Sequence, residues 1–196
     1  MAIKIFIDAG HNPGLINAGA VVNGIEEQSI NYTVTAILAE LLESDCRFAV
    51  RISRMFPQQV LGTDTASSLS QRVEMANTWK ADYFFSIHCN YNNDPNINGS
   101  EIYVYAQNSI AWQMANTILP ILCLNAGTKD HRVRTNPALY VLRKTTMPAL
   151  LFELGYMTNT EDLDKLVSDP FAFAYGIYSG LLYYFLHVNT INYSCF

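Results

Sequence analysis

The stretch IKIFIDAGHNPG, residues 3–14, sets the reading of this chain. From Ile3 to Ile7 it is β-branched and aromatic with no turn former inside it, the pattern of a strand buried on both faces. Gly10, Asn12, Pro13 and Gly14 then end the run and leave His11 where a buried strand opens into a glycine-rich loop. In open α/β sheets that edge is where ligands collect. One loop histidine is a weak signal, so its weight depends on what the rest of the chain places beside it.

Outward from this strand, helical and extended patterns alternate. Residues 27–45 carry Ile30, Val34, Ile37, Leu38, Leu41 and Leu42 at the spacing of one helical face. Residues 48–53 read as a strand, 68–80 as a helix, 83–88 as a short apolar strand and 101–105 as a half-exposed strand. A helix begins near Ser109 and is expected to kink or end at Pro120. Residues 138–142 and 149–153 read as two further strands, followed by a short acidic helix over 160–167. The last helix is capped by Asp169, with Pro170 as its first residue. This succession implies an α/β fold: a single domain with a mostly parallel or mixed sheet flanked by helices. With no repeat, low-complexity tract or linker in view, residues 1–188 read as that domain and 189–196 as a C-terminal tail.

Composition narrows the function classes. A chain of 196 residues, half of them hydrophobic and 15% charged, has enough apolar material for a core that needs no metal to fold. The net charge of −5 argues against a nucleic-acid partner, and the nearest basic cluster, residues 129–134, contains Asp130 and reads as a solvated loop. Cys46, Cys89, Cys123 and Cys195 are scattered without a CxxC pair, which points to reduced thiols. The N-terminus shows no basic segment followed by a long apolar one, so synthesis in the cytoplasm without a signal peptide is expected. Residues 171–188 hold no Asp, Glu, Lys or Arg, but Gly176, Ser179, Gly180 and four tyrosines dilute the run. A buried helix is expected there rather than a membrane span.

His11 has a counterpart. The segment ADYFFSIHCN, residues 81–90, is again a buried strand with a histidine, His88, at its end and an asparagine-rich loop beyond. Glu26 or Glu27 at the start of the first helix is a third candidate ligand, and Glu153 ends the strand ALLFE. Two histidines and one carboxylate hold zinc in a tetrahedron with the fourth position open to water, and the remaining acid is then available for proton transfer. Each residue also has an ordinary structural use. A first-turn glutamate favours the helix dipole, and a strand-end histidine can be satisfied by backbone. Glu153 behind five uncharged residues needs a partner or a function. Cys89 raises a thiol nucleophile with a histidine base as a rival, although neighbouring strand residues face opposite sides.

Taken together, DAGHNPG, GIEEQSIN, LSQRVEMAN, ADYFFSIHCN, GSEIYVY, ALYVLRKTTMPALLFELGYMTN and EDLDKL stand in the order found in the zinc-dependent N-acetylmuramoyl-L-alanine amidases of the type 3 class. The chain resembles that family from Ile3 to about Leu186. The resemblance implies a phosphorylase/hydrolase-like fold and one Zn2+ ion held by His11, Glu27 and His88, with Glu153 catalytic. Glu27 is preferred to Glu26 because family members carry an asparagine four residues on, here Asn31. The implied substrate is peptidoglycan at the cell wall, cut by zinc-activated water at the amide between N-acetylmuramic acid and L-alanine. A zinc peptidase cutting within the stem peptide and a non-catalytic wall-binding module are the alternatives. Asn90, in the loop after His88, is a candidate substrate contact. Two departures stand out: the usual aspartate soon after Arg54 is missing, and so is a glycine beside Arg132. No wall-binding module is recognisable after Val188, and endolysin, autolysin, sporulation and germination roles all fit.

Overall fold

The computed structural model describes residues 2–188. A small hairpin pairs β2 (Val21–Val22) with β3 (Ile25–Glu26). The main sheet is built from β1 (Ile3–Ala9), β4 (Phe48–Ile52), β5 (Tyr83–Asn90), β6 (Ser100–Val104), β7 (Asp130–Thr135) and β8 (Ala149–Tyr156), in the order β4-β1-β5-β8-β6-β7. Pairings from β4 through β8 are parallel; β6 runs antiparallel to β8 and parallel to β7. The sheet is therefore mixed and mostly parallel, as the alternation of patterns implied.

Helices α1 (Glu27–Glu43), α3 (Ile110–Ala126) and α6 (Pro170–Tyr183) cover one face; Ile30, Val34, Leu38, Ile118, Leu122, Phe173 and Ile177 meet Ile5, Ile7, Phe85, Ile87, Phe152 and Leu154 in the larger core. The other face carries α2 (Thr65–Trp79) and α4 (Tyr140–Lys144), where Val73, Ala76, Val141 and Leu142 pack on Phe6, Phe84, Ala149 and Leu151. Helix α5 (Thr160–Ser168) follows β8, capped by the Asn159 side chain on Asp162 N. Asp169 caps α6 by accepting from Ala172 N, and Pro170 opens it. A π-helical turn, Tyr184–Val188, continues the chain. No described helix is long and apolar enough to cross a membrane. The expected tail, 189–196, lies outside the described residues.

Four local expectations are corrected. Helix α3 does not end at Pro120 but runs on to Ala126, which removes one of the two outcomes expected there. An interior proline costs about 3 kcal/mol, and the burial of Ile118, Leu119, Leu122 and Cys123 along the same helix outweighs it. The segment expected as a strand at 138–142 is the short helix α4, which sets Val141 and Leu142 into the smaller core on a single turn. The basic stretch read as a loop is strand β7. Only its partly buried Val133 touches the larger core, and its charged residues suit a sheet edge that must not pair with other chains. Cys89 and Cys123 are free, but Cys46 is disulfide-bonded, so the thiols are not all reduced. Spacing along the chain cannot exclude a pairing that only folding brings about.

Candidate active site

Alternation along the strands decides which side chains share a face. Phe85, Ile87 and Cys89 of β5 enter the larger core, so Ser86, His88 and Asn90 project from the opposite face. Phe152 and Leu154 of β8 do the same and turn Glu153 outward beside His88, its direct partner in the β5–β8 register. On the other side, Glu101 of β6 stands opposite Glu153.

The hairpin delivers the third element. Asn23 and Gly24 at its tip have φ of 53° and 79°, both in the left-handed region that a tight two-residue hairpin turn requires. The chain returns directly into α1, whose first residue is Glu27. Glu27 is 4% exposed, and its Oε1 lies 3.3 Å from His11 Nε2 and 3.2 Å from His88 Nδ1. Asn31, one helical turn on, donates to the same oxygen at 3.2 Å, Cys89 N donates to it at 3.1 Å, and Ala20 N donates to Oε2 at 3.0 Å. Burial by itself would raise this carboxyl, but the hydrogen bonds and charges of His11 and His88 outweigh it and hold it far below the usual carboxylate range. Glu26 points elsewhere, exposed and accepting from Gln28 Nε2.

His11 Nδ1 lies 3.1 Å from the Asn17 carbonyl, which can only accept, so Nδ1 carries a proton, and Nε2 faces Glu27, where it offers a lone pair to a metal once its own proton is lost. Burial lowers its pKa, while Glu27 and the Asn17 bond outweigh that and leave it raised; at the more enclosed His88, burial and the neighbouring His11 prevail and the pKa falls. One ligand atom from each of His11, Glu27 and His88 falls within 4.8 Å of the others. The surroundings fit an ion there. A Cβ at Gly10 would sit 2.4 Å from the His88 ring, and one at Gly19 would sit 2.5 Å from Glu27 Oε2, so both glycines let the ligands close in. Two imidazoles with one carboxylate are a donor set suited to zinc that leaves a position open.

Glu153 Oε2 is buried without a hydrogen-bond partner. Burial pushes this carboxyl well up, and the negative neighbours Glu27 and Glu101 push it further. Asn90, two residues beyond His88, donates through Nδ2 to Glu101 at 2.5 Å and accepts from Tyr91 N at 2.9 Å. Cys89 faces the larger core with Sγ 3.5 Å from Asn31 Oδ1, and burial raises its thiol far above the ordinary value. That is the environment of an inert cysteine.

Sequence reasoning passed over the groups that hold the first loop. Arg72, fully buried, donates to Asp8 Oδ1 (2.5 Å), Ala9 O (2.5 Å), His11 O (2.6 Å) and Asn12 Oδ1 (2.8 Å). These bonds fix the DAGHN turn, in which His11 takes φ of 64°. Arg54 is also buried, and with no aspartate close behind it in the chain its donors go to Gln28 O, Gln28 Oε1 and the Pro57 carbonyl. Arg132 itself adopts φ of 77° at the β6–β7 bulge, where a glycine was expected nearby. An arginine spaced far along the chain from its acceptors gives no local signal of its partner, although Asp8 in DAGHNPG and Arg72 in LSQRVEMAN both stand in motifs the sequence shows.

A mixed α/β sheet with a two-histidine, one-carboxylate cluster at its strand ends defines a class of candidate metal hydrolases. The family model described as N-acetylmuramoyl-L-alanine amidase matches residues 5–183, and the chain belongs to that family. It is 33% identical over 191 residues to N-acetylmuramoyl-L-alanine amidase LytC of Bacillus subtilis (strain 168), covering 96% of this chain and 35% of the relative. It is 36% identical over 170 residues to N-acetylmuramoyl-L-alanine amidase CwlM of Bacillus licheniformis, covering 86% and 62%. The chain thus spans less than two thirds of either relative. Among solved structures it resembles the catalytic domain of CwlV, an N-acetylmuramoyl-L-alanine amidase from Bacillus (Paenibacillus) polymyxa var. colistinus, with a TM-score of 0.81 at 28% identity, over 95% of this chain and 99% of that one.

Proposed function

We propose that the chain, with residues 1–188 as its catalytic unit, hydrolyses the amide joining N-acetylmuramic acid to the L-alanine of the peptidoglycan stem and acts at the cell wall. The observation that carries this reading is the cluster of His11, Glu27 and His88 with the unpartnered Glu153 carboxylate on the adjoining strand, in a chain of the amidase family. His11, Glu27 and His88 would hold one zinc ion. When bound, zinc polarises the amide carbonyl and lowers the pKa of a water toward about 7. Glu153 takes the proton from the attacking water and returns it to the departing L-alanine nitrogen. Burial and the negative neighbours Glu27 and Glu101 raise its affinity for protons, and a positioned carboxyl group that gains and returns a proton is the part general acid–base catalysis requires. Asn31, Cys89 N and Ala20 N keep the Glu27 carboxylate oriented, and Asn17 sets the tautomer of His11. Asn90, whose Nδ2 is held by Glu101 on the strand face that carries His88, is the substrate contact in this reading.

Mass spectrometry of digested peptidoglycan tests the proposal. Glycan bearing a free lactyl carboxyl, together with stem peptides that begin at L-alanine, supports it. New termini inside the stem peptide would replace it with the peptidase reading, and binding without cleavage would replace it with that of a wall-binding module.

A further inference from the structure

Glu101 is a buried carboxylate for which the proposed chemistry has no role. It is 1% exposed, and its partners are complete: Asn90 Nδ2 at 2.5 Å and the Tyr156 hydroxyl at 2.9 Å donate to Oε1, and Arg134 Nε at 2.5 Å donates to Oε2. An arginine commonly meets a carboxylate fork to fork with two parallel bonds. Here Glu101 takes only the Nε edge. The Arg134 side chain is 50% exposed, and among the described residues its Nη1 and Nη2 make no hydrogen bond.

The position of that free fork is set by the sheet. Ile102 and Val133 are paired and touch the larger core, while Tyr103 is paired with Arg134, so Arg134 shares its face with Glu101 and Glu153. Strands lie about 4.8 Å apart, which puts β7 about 10 Å from β8. An extended peptide covers that distance in about three residues. That stretch carries the paired carboxyl groups of Glu101 and Glu153, with Glu27 beyond them against His88 of β5, and a substrate carboxylate crossing it needs a cation to offset their repulsion.

We infer that Arg134 is a specificity residue for the stem peptide. Its free Nη1 and Nη2 receive a stem carboxylate a few residues from the scissile amide, and Glu101 is a positioning residue that holds the guanidinium ready. This rests on the amidase reading and names the substrate group that the site distinguishes. A planar guanidinium is suited to the task because its geometry matches a carboxylate, whereas lysine offers a point charge.

The test uses the zinc-loaded chain and two muropeptides that differ only in whether every stem carboxylate is free or amidated. The wild type is expected to prefer the free form by about 10- to 100-fold in kcat/KM, chiefly through KM, the effect of a charge-assisted pair. Arg134→Gln is expected to bring the ratio close to one, Arg134→Lys to keep part of it, and Glu101→Gln to fall between wild type and Arg134→Gln. Equal wild-type rates on the two substrates, or a ratio that survives Arg134→Gln, overturns the inference. An unchanged ratio in Glu101→Gln overturns the positioning role, since a merely structural residue would lower both rates alike. If the wild type releases no L-alanine terminus from either substrate, the amidase reading itself fails and takes this inference with it.

Discussion

His88 and Glu153 stand directly opposite each other on the parallel strands β5 and β8, although they lie 65 positions apart in the sequence. This pairing gives the two residues different work: one faces Glu27 and the other keeps a carboxylate oxygen unpartnered. Glu153→Gln preserves shape and removes the proton acceptor. Zinc content is expected to stay near one per chain while turnover falls by about 10²- to 10⁴-fold. Loss of zinc in this variant would move Glu153 into the ligand set.

The metal should be needed for activity and not for the fold. The two cores are closed by apolar side chains on both faces of the sheet, so chelation is expected to abolish amidase activity while the circular dichroism of the chain remains largely native. A His11→Ala, His88→Ala double variant that kept full zinc and activity would refute the site.

Glu27 and Glu26 adjoin in sequence but not in role. Loss of supporting groups around a metal ligand typically costs about 10- to 100-fold in affinity, so Glu27→Gln, which alters a ligand itself, should weaken zinc by about 100-fold or more. Glu26→Gln should leave metal content and turnover unchanged, because its carboxylate is exposed and bonded to Gln28. Titration with a competing chelator measures both.

Cys89→Ser should retain most activity in a zinc-loaded, folded protein. The thiol faces the larger core and burial keeps it protonated. A fall of about 10³-fold or more would revive the thiol mechanism.

Asp8 links stability to acid pH. Burial would raise its carboxyl, but Arg72, His88 and the hydrogen bonds from Ser53 and Arg72 outweigh it and hold it below the ordinary value. A carboxyl depressed in the folded state binds its proton more tightly when unfolded, so stability rises with pH between the two values. The Asp8 contribution is complete above the unfolded value of about 3.9 and is lost as pH falls through the folded one. Asp8→Asn leaves Arg72 buried without its charge partner, and breaking such a pair costs about 3–5 kcal/mol. Denaturant unfolding should show that loss at pH 7 and a smaller difference between variant and wild type below pH 4. An equal difference at both pH values would contradict this account.

The amino-acid sequence by itself determined the class of fold and pointed to the four residues proposed for the site, His11, Glu27, His88 and Glu153. Buried strands ending in His11 and His88, a helix opening at Glu27 and a strand carrying Glu153 are local patterns, because burial periodicity and turn residues act over a few positions. The Asn23-Gly24 turn is equally local, an asparagine-glycine pair of the kind that closes a two-residue hairpin. Tertiary structure decided the rest. It carried α3 past Pro120, made 130–135 an edge strand and 140–144 a helix, since packing outweighs propensity over short segments. It also brought Glu27 against both histidines, joined Arg72 to Asp8 across 64 positions, and set Glu101 between Glu153 and Arg134. Contacts between distant segments follow from strand order and register, which no local pattern encodes.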